Sequence, residues 1–227
     1  MGKFEIVRSE GVRTYTVFAK SSYKNILRLE TEMPMYNFIG EGRYMVEEVY
    51  YDSPNNLLAS AGILLSKVVE GNKAYFKVER EDYLFEKNLS KEKKIFVHPI
   101  GLRDGVQDHM LFLINGITSF FTTKFSIDFE NILKVVVPKV EIRTKVDAFK
   151  VLSGTGFKGV MTFEEVKFKN NFTKRKAELD MLKIERASSE ATAKDFLTFI
   201  DRLEKYCKET GFSYNGKYQK WGPYSFD

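Results

Sequence analysis

Acidic side chains recur at every second position in two predicted strands of this 227-residue chain. Glu30 and Glu32 form one pair, and Glu178 and Asp180 form another near the opposite end of the chain. Residues two apart on a strand point to the same side of a sheet, so each pair would present two carboxylates together. Because carboxylate oxygens are ligands that Mg²⁺ and Mn²⁺ accept, the two pairs favour a divalent-metal site.

Basic side chains follow the same spacing. Arg143 and Lys145 lie on a sharply alternating stretch, and Lys77 shares a predicted strand face with Glu79. Arg and Lys bind phosphate oxygens through charge-assisted hydrogen bonds, and a metal beside them can polarise a phosphoryl group or activate water. This combination favours a site for a metal-bound polyphosphate inside a polar barrel. The alternative is an ordinary sandwich, in which the charged faces are solvated and the apolar faces form the core.

The elements that would position these residues are mostly strands. Gly71-Asn72 predicts a tight hairpin that pairs Ser66 with Lys77 and Val68 with Tyr75. Hairpin-like connections and the high content of Phe and Tyr favour a mainly antiparallel β protein with peripheral helices. The alternation predicts strands within 3–20 (a hairpin turning at 10–11), 25–33, 43–52, 63–69, 73–80, 95–98, 134–151, 158–168 and 175–185.

Helices are predicted in three places. Phe196, Ile200 and Leu203 recur at helical spacing and predict a helix over 189–210. Asp104 or Asp108 would cap a second helix within 106–121, and Asp128 would cap a short third one. The charged stretch 81–94 is predicted to be a surface loop.

The composition restricts the class of protein more than its chemistry. The 36 basic residues exceed the 31 acidic ones only slightly, which fits either a solvated basic surface or attraction to a polyanion. The single cysteine, Cys207, excludes an internal disulfide and a cysteine-based zinc site. With no visible signal peptide and no apolar run of membrane-spanning length, we expect one cytoplasmic domain over 1–227, without a membrane partner.

The stretch Tyr50-Tyr51-Asp52-Ser53-Pro54, with Leu57, Ala61-Gly62 and Leu65 after it, carries a family resemblance. The further matches are Glu30-x-Glu32, Lys77, Arg143, Lys145, Phe163-Glu164-Glu165-Val166 and Glu178-x-Asp180. In this order they resemble the CYTH family, also called triphosphate tunnel metalloenzymes. The resemblance covers roughly 24–212, which leaves 1–23 as extra N-terminal strands and 213–227 as a tail.

The resemblance implies an eight-stranded antiparallel tunnel barrel with helices outside it. It also implies that the chain binds, and is able to hydrolyse, a small triphosphate-containing anion (inorganic, nucleoside or thiamine triphosphate) with Mg²⁺ or Mn²⁺. The implied catalytic residues are Glu30 and Glu32. The implied metal ligands are Glu30, Glu32, Glu164, Glu178 and Asp180, and the implied phosphate-binding residues are Lys77, Arg143 and Lys145.

Three positions depart from the family pattern and support an alternative function. Pro34, Ser66 and Val68 stand where the family has basic residues. This favours a catalytically degenerate module that binds an anionic ligand or a protein without turnover. A nucleic-acid-associated protein is a weaker alternative, based on the basic run 167–176 with its interleaved phenylalanines. His98 and His109 are each interpreted as an isolated structural or surface residue.

Overall fold

The computed structural model describes residues 7–9, 12–19, 29–81, 93–120, 127–154, 156–186 and 193–209. The strands in them form one nine-stranded sheet in the order β1-β2-β9-β8-β7-β3-β4-β5-β6, and every neighbouring pair is antiparallel. The strands are β1 Val7–Ser9, β2 Val12–Ala19, β3 Tyr36–Asp52, β4 Ile63–Glu70, β5 Lys73–Glu81, β6 Lys93–Ile100, β7 Val137–Ser153, β8 Lys158–Asn170 and β9 Lys176–Arg186. The predicted mainly antiparallel fold class is confirmed, with β1, only three residues long, added to eight longer strands.

The helices are short except for the last one. They are α1 Leu29–Glu32, α2 Leu57–Ser60, α3 Met110–Ser119, α4 Phe129–Lys134 and α5 Ala193–Glu209, with one 3-10 turn at Gln107–His109. The helix predicted over 189–210 is confirmed by α5. No helix in the described part of the chain combines the length and apolarity that crossing a bilayer requires.

One of the two cap predictions is confirmed. The Asp128 carboxylate accepts a hydrogen bond from the Asn131 N–H at 3.1 Å, as expected for an N-cap of α4. The predicted caps of α3 are wrong, because Asp104 and Asp108 accept instead from the N–H groups of Gly101 and Gly105, at 2.8 and 2.7 Å. Both carboxylates therefore stabilise turns before the helix.

The strand predicted over 25–33 is wrong in its described part. Residues 29–32 form α1, while 25–28 lie outside the described residues. Leu29 and Met33 are one helical turn apart and both are buried in a core cluster with α5. A spacing of four residues satisfies a helix as well as an alternating strand over so short a stretch, and packing decided between them.

Two hairpins form as predicted. Gly71 adopts a φ of 60° in the turn between β4 and β5, a left-handed conformation that glycine tolerates. Ser66 pairs with Lys77 and Val68 with Tyr75, which is the predicted register. At the N-terminus, β1 and β2 pair on either side of residues 10–11. The tail 213–227 and residues 82–92 of the predicted loop lie outside the described residues, and the loop prediction is wrong at its two ends, where Glu81 belongs to β5 and Lys93 and Lys94 to β6.

The helices pack on one side of the sheet, in two core clusters. One cluster joins α1 and α5 to Phe38, Met161 and Ile184. The other joins α2, α3 and α4 to Leu65 and Phe76. All of these strand residues point to the same side, which we call the outer face; it also carries Glu47 and Arg143.

The opposite side, which we call the inner face, carries Glu48, Lys77 and Glu164. Neither core cluster includes a residue of this face, yet its Val68 and Phe168 are buried. Because the helices of both clusters pack on the outer face, the sheet itself must shield these inner-face side chains, and it therefore curves around its inner face.

Candidate functional site

Arg143 and Glu178, two of the predicted site residues, lie on the outer face. Arg143 stands opposite Glu47 on β3 and Lys167 on β8, and Lys167 stands opposite Glu178 on β9. The Arg143 Nε and a Glu47 oxygen are 3.2 Å apart, as are the Lys167 Nζ and a Glu178 oxygen. These cross-strand ion pairs are exposed and place Arg143 and Glu178 on the outer face, so their roles as phosphate and metal ligands stay predictions.

Lys145 and Asp180 lie one row further along the same outer face. Lys145 forms a 3.2 Å ion pair with Glu165, which stands opposite Asp180. Burial raises the pKa of Asp180, and the nearby negative charges of Glu165 and Glu178 raise it further. Asp180, which was predicted to be a metal ligand, therefore lies close to two other carboxylates in a row of charged residues on the outer face.

Glu30 and Glu32 are also displaced from the predicted site. Both are exposed on the short helix α1, and neither is part of the sheet. Two residues apart on a helix do not face each other, so the argument that they present two carboxylates together fails. Of the predicted site residues, only Lys77 and Glu164 lie on the inner face.

Lys77 is the centre of a charged group on the inner face of β3, β4 and β5. Its Nζ lies 2.7 Å from a Glu48 oxygen and 3.5 Å from a Glu79 oxygen. Burial alone would lower the pKa of Lys77, but the two carboxylates more than offset it and the pKa is raised. The side chains are 22% exposed for Lys77, 18% for Glu48 and 7% for Glu79. The group therefore holds a protonated lysine between two shielded carboxylates.

Glu48 receives further hydrogen bonds. The Ser66 hydroxyl donates to it at 2.8 Å, and Tyr50 is hydrogen-bonded to it as well. Burial raises the pKa of Tyr50 well above its usual value, and the charges of Glu48 and Glu79 add to that effect. Ser66 thus supplies a hydrogen bond to a glutamate where a basic residue would have supplied a positive charge.

A second polar group lies on the inner face of β8 and β9. Lys183 and Glu185 form an ion pair at 2.6 Å, and the Thr162 hydroxyl donates to Glu164 at 2.9 Å. The charges of Glu164, Lys183 and Glu185 all act on the Tyr44 hydroxyl. The inner face therefore carries two polar groups, each containing a lysine that already has a carboxylate partner.

The chain resembles known structures over most of its length. A structure of an adenylyl cyclase candidate from Hippeastrum, described as having a dominant triphosphatase activity, is similar with a TM-score of 0.51 at 11% identity. The similarity covers 93% of this chain and 92% of that one. No protein-family model matches the chain, and no curated protein is significantly similar to it.

The protein has the CYTH-like fold. The resemblance predicted from the stretch at Tyr50–Leu65 is thus confirmed at the level of the fold. Weaker similarity extends to an adenylate cyclase candidate from Bacillus halodurans (TM-score 0.46, 14% identity, covering 95% of this chain and 94% of that one). It also extends to the capping-enzyme triphosphatase of mimivirus (TM-score 0.36, 7% identity, covering 89% and 92%).

The Tyr-Tyr-Asp-Ser-Pro stretch of this CYTH-like fold has a structural role. Asp52 is fully buried, and its carboxylate accepts hydrogen bonds from the N–H groups of Ser53, Leu58 and Ala59 at 2.7, 2.9 and 3.0 Å. Two of these donors belong to the first turn of α2, whose N–H groups have no partners within the helix. The motif therefore fixes α2 against the end of β3.

The donor set of the inner face does not fit a resident divalent metal. Within the described ranges, no three His, Cys, Asp or Glu side chains are placed so that they could hold one ion. Glu48 and Glu79 instead share Lys77, and Glu48 is further engaged by Ser66 and Tyr50. The predicted Mg²⁺ or Mn²⁺ stays a prediction of the resemblance.

The sequence carried partial signals for the inner-face residues that were missed. Glu79 follows Lys77 by two residues, so their common face was visible. Glu48 follows Glu47 directly, and only the pairing of β3 with its neighbours shows which of the two points inward. Lys183 and Glu185, which lie nearer the final helix, are also two residues apart. That spacing alone does not distinguish them from Glu178 and Asp180.

Proposed function

We propose that this protein is a binding module that takes a phosphate-bearing anion, such as a triphosphate, on its inner face without hydrolysing it. The fold supports a small-molecule site, because the structurally similar adenylyl cyclase candidate from Hippeastrum is described as having a dominant triphosphatase activity. The observation that carries the proposal is the state of Lys77, whose side chain is only 22% exposed and already paired with two carboxylates.

The balance of acidic and basic residues on the inner face argues against a catalytic polyphosphate site. Catalysis of phosphoryl transfer depends on cations that stabilise charge developing in the transition state. Among the strand residues whose side chains the structure describes, the inner face has glutamates at 48, 70, 79, 164 and 185 and lysines at 73, 77, 150, 158 and 183. Equal numbers of each leave no net positive charge. Arg143 and Lys145, the expected phosphate ligands, are on the other side of the sheet.

The paired lysines can still bind an anion, because lysine is a flexible point charge with three donors. Lys77 can donate to a phosphate oxygen while it keeps Glu48, and Lys183 can do the same while it keeps Glu185. The hydroxyls of Tyr44 and Tyr75 supply further donors, since raised pKa values keep both protonated. We therefore expect modest affinity and little dependence on added metal.

Two measurements on one set of samples test the proposal. Thermal shift and phosphate release are measured with tripolyphosphate, ATP and thiamine triphosphate, each without metal and with Mg²⁺ or Mn²⁺. We expect at least one of them to raise the melting temperature, with no phosphate release above the buffer rate. Lys77→Met should abolish the shift, while Lys145→Met, the same change on the outer face, should leave it intact.

Three results would count against this function. Phosphate release that Glu79→Gln abolishes, while Glu165→Gln on the outer face does not, would show that the site is catalytic. Equal shifts in Lys77→Met and Lys145→Met would show that the anion binds elsewhere. The absence of any shift with all three compounds would remove the binding claim.

A further inference from the structure

Two histidines that are eleven positions apart in sequence meet on the outer side of the sheet, away from the inner face. His98 lies on β6, and His109 ends the 3-10 turn before α3. The His98 Nε2 and His109 Nδ1 are 3.1 Å apart. Close packing of α3 on β6 brings them together, because a Cβ added at Gly116 would overlap the Phe96 ring.

We propose that His98 and His109 form a binding site for a divalent transition metal such as Zn²⁺, Ni²⁺ or Cu²⁺. Two imidazole nitrogens on one tetrahedral Zn²⁺, each about 2.0–2.1 Å from the ion, are roughly 3.3 Å from each other. The observed 3.1 Å separation differs from this by little, so small ring rotations suffice to aim both lone pairs at one ion. Without metal, the same pair is held by an N–H···N hydrogen bond.

Metal-binding histidines usually have a hydrogen-bond partner on the ring nitrogen that does not bind the metal, and Asp104 provides one for His109. Its Oδ2 lies 2.8 Å from the His109 Nε2, the ring nitrogen that faces away from His98. A carboxylate in this position fixes the tautomer and raises the basicity of the ligating nitrogen. The Gly101 N–H donates to the same carboxylate oxygen at 2.8 Å, so Asp104 is itself held in place.

The surroundings suit a borderline metal and leave it accessible. Phe112 stacks on the His98 ring at 4.3 Å between centroids, and the Phe76 ring lies 6.0 Å from that of His109. The Asp104 side chain is 37% exposed and that of His109 is 18% exposed, so an ion can reach the pair from solvent. Imidazole ligands favour Zn²⁺, Ni²⁺ and Cu²⁺ over Mg²⁺, and water would fill the remaining positions.

Calorimetric titration with Zn²⁺ tests the site in the full chain, without a histidine tag and with Cys207→Ser to remove the thiol. We expect one saturable ion per chain, which His98→Gln and His109→Gln each abolish. Asp104→Asn should weaken binding about 10- to 100-fold, because it removes the support and not a ligand. The matched control is Asp108→Asn, since Asp108 accepts from the Gly105 N–H at 2.7 Å in a similar turn but has no histidine partner. It should bind Zn²⁺ as the parent does, and Mg²⁺ should not bind this site.

Electron paramagnetic resonance of the Cu²⁺-loaded parent protein gives a readout that does not depend on variants folding. Couplings to two histidine ring nitrogens are expected, falling to one when either histidine is replaced. The proposal is overturned if Zn²⁺ binding is absent, if both histidine variants retain it, or if the Cu²⁺ spectrum shows no histidine nitrogen. Those results would leave the pair as a hydrogen bond that ties α3 to β6.

Discussion

The inner and outer faces of this sheet carry similar charged residues in very different surroundings. On the outer face, Lys167 and Glu178 form an ion pair with side chains 66% and 73% exposed, and Arg143 and Glu47 are similarly open to solvent. On the inner face, Lys77 and Glu48 are both about four-fifths shielded. Exposed pairs contribute little because water screens them, whereas a shielded lysine depends on its carboxylates. The energetic contribution of an ion pair therefore depends on the face on which it lies and not only on its residue types.

The largest expected difference between the faces concerns the removal of a lysine. Lys77→Met leaves Glu48 and Glu79 close together and shielded, so we expect the free energy of unfolding to fall by about 2–3 kcal/mol. Lys145→Met removes one exposed partner and should change it by less than about 0.5 kcal/mol. Urea denaturation of both variants measures this difference, and equal losses would contradict the assignment of the two faces.

A smaller difference concerns adjacent tyrosines of β3. Tyr50→Phe removes a hydrogen bond to the charged Glu48 and should cost about 1–2 kcal/mol at pH 8. Tyr51→Phe, one position along and facing outward, is the control. It should cost less, because the raised pKa of Tyr51 comes from burial and the charge of Glu141 and not from a hydrogen bond to a charged group.

The cost of Tyr50→Phe should also depend on pH. The raised pKa of Tyr50 means that the unfolded chain releases this proton first as the pH rises through about 10, so the folded state loses stability above that pH. Lys77, whose pKa is also raised, acts in the same direction. The difference between the parent protein and Tyr50→Phe should therefore shrink from pH 9 to pH 11 in thermal denaturation. A constant difference would show that the hydroxyl is not shielded.

The smallest expected effect is a gain on the outer face. Asp180 lies beside Glu165 and Glu178, and its raised pKa means that its ionised form is disfavoured in the folded protein. This cost is present at neutral pH and is relieved as the pH falls and the carboxyl becomes protonated. Asp180→Asn should therefore raise the melting temperature slightly at pH 7 and not at pH 3. A marked loss of stability at pH 7 would mean that Asp180 has a favourable partner.

The fold was more accessible from the sequence than the site. Alternation, the Gly71-Asn72 turn and the helical spacing of α5 are local signals, and they predicted the sheet, one hairpin register and the final helix. Which face of a strand points inward is not local, because it follows from pairing across the whole sheet. Arg143 and Lys145 alternate as sharply as any inner-face residues, but the row that pairs them with Glu47 and Glu165 places them outside.

Two other features depended on tertiary packing. Leu29 and Met33 fit a strand and a helix equally well, and the core shared with α5 selected the helix that displaces Glu30 and Glu32. His98 and His109 looked isolated because no short motif joins them; their contact requires α3 to lie against β6.

The most direct test of the central claim is a phosphorus NMR titration of tripolyphosphate with the parent protein and with Lys77→Met and Lys145→Met. We predict that the tripolyphosphate signals broaden or shift with the parent and Lys145→Met but not with Lys77→Met, while no orthophosphate accumulates. Orthophosphate that appears with the parent and disappears with Glu79→Gln would contradict binding without turnover. Equal signal changes in both lysine variants would contradict the inner face as the site.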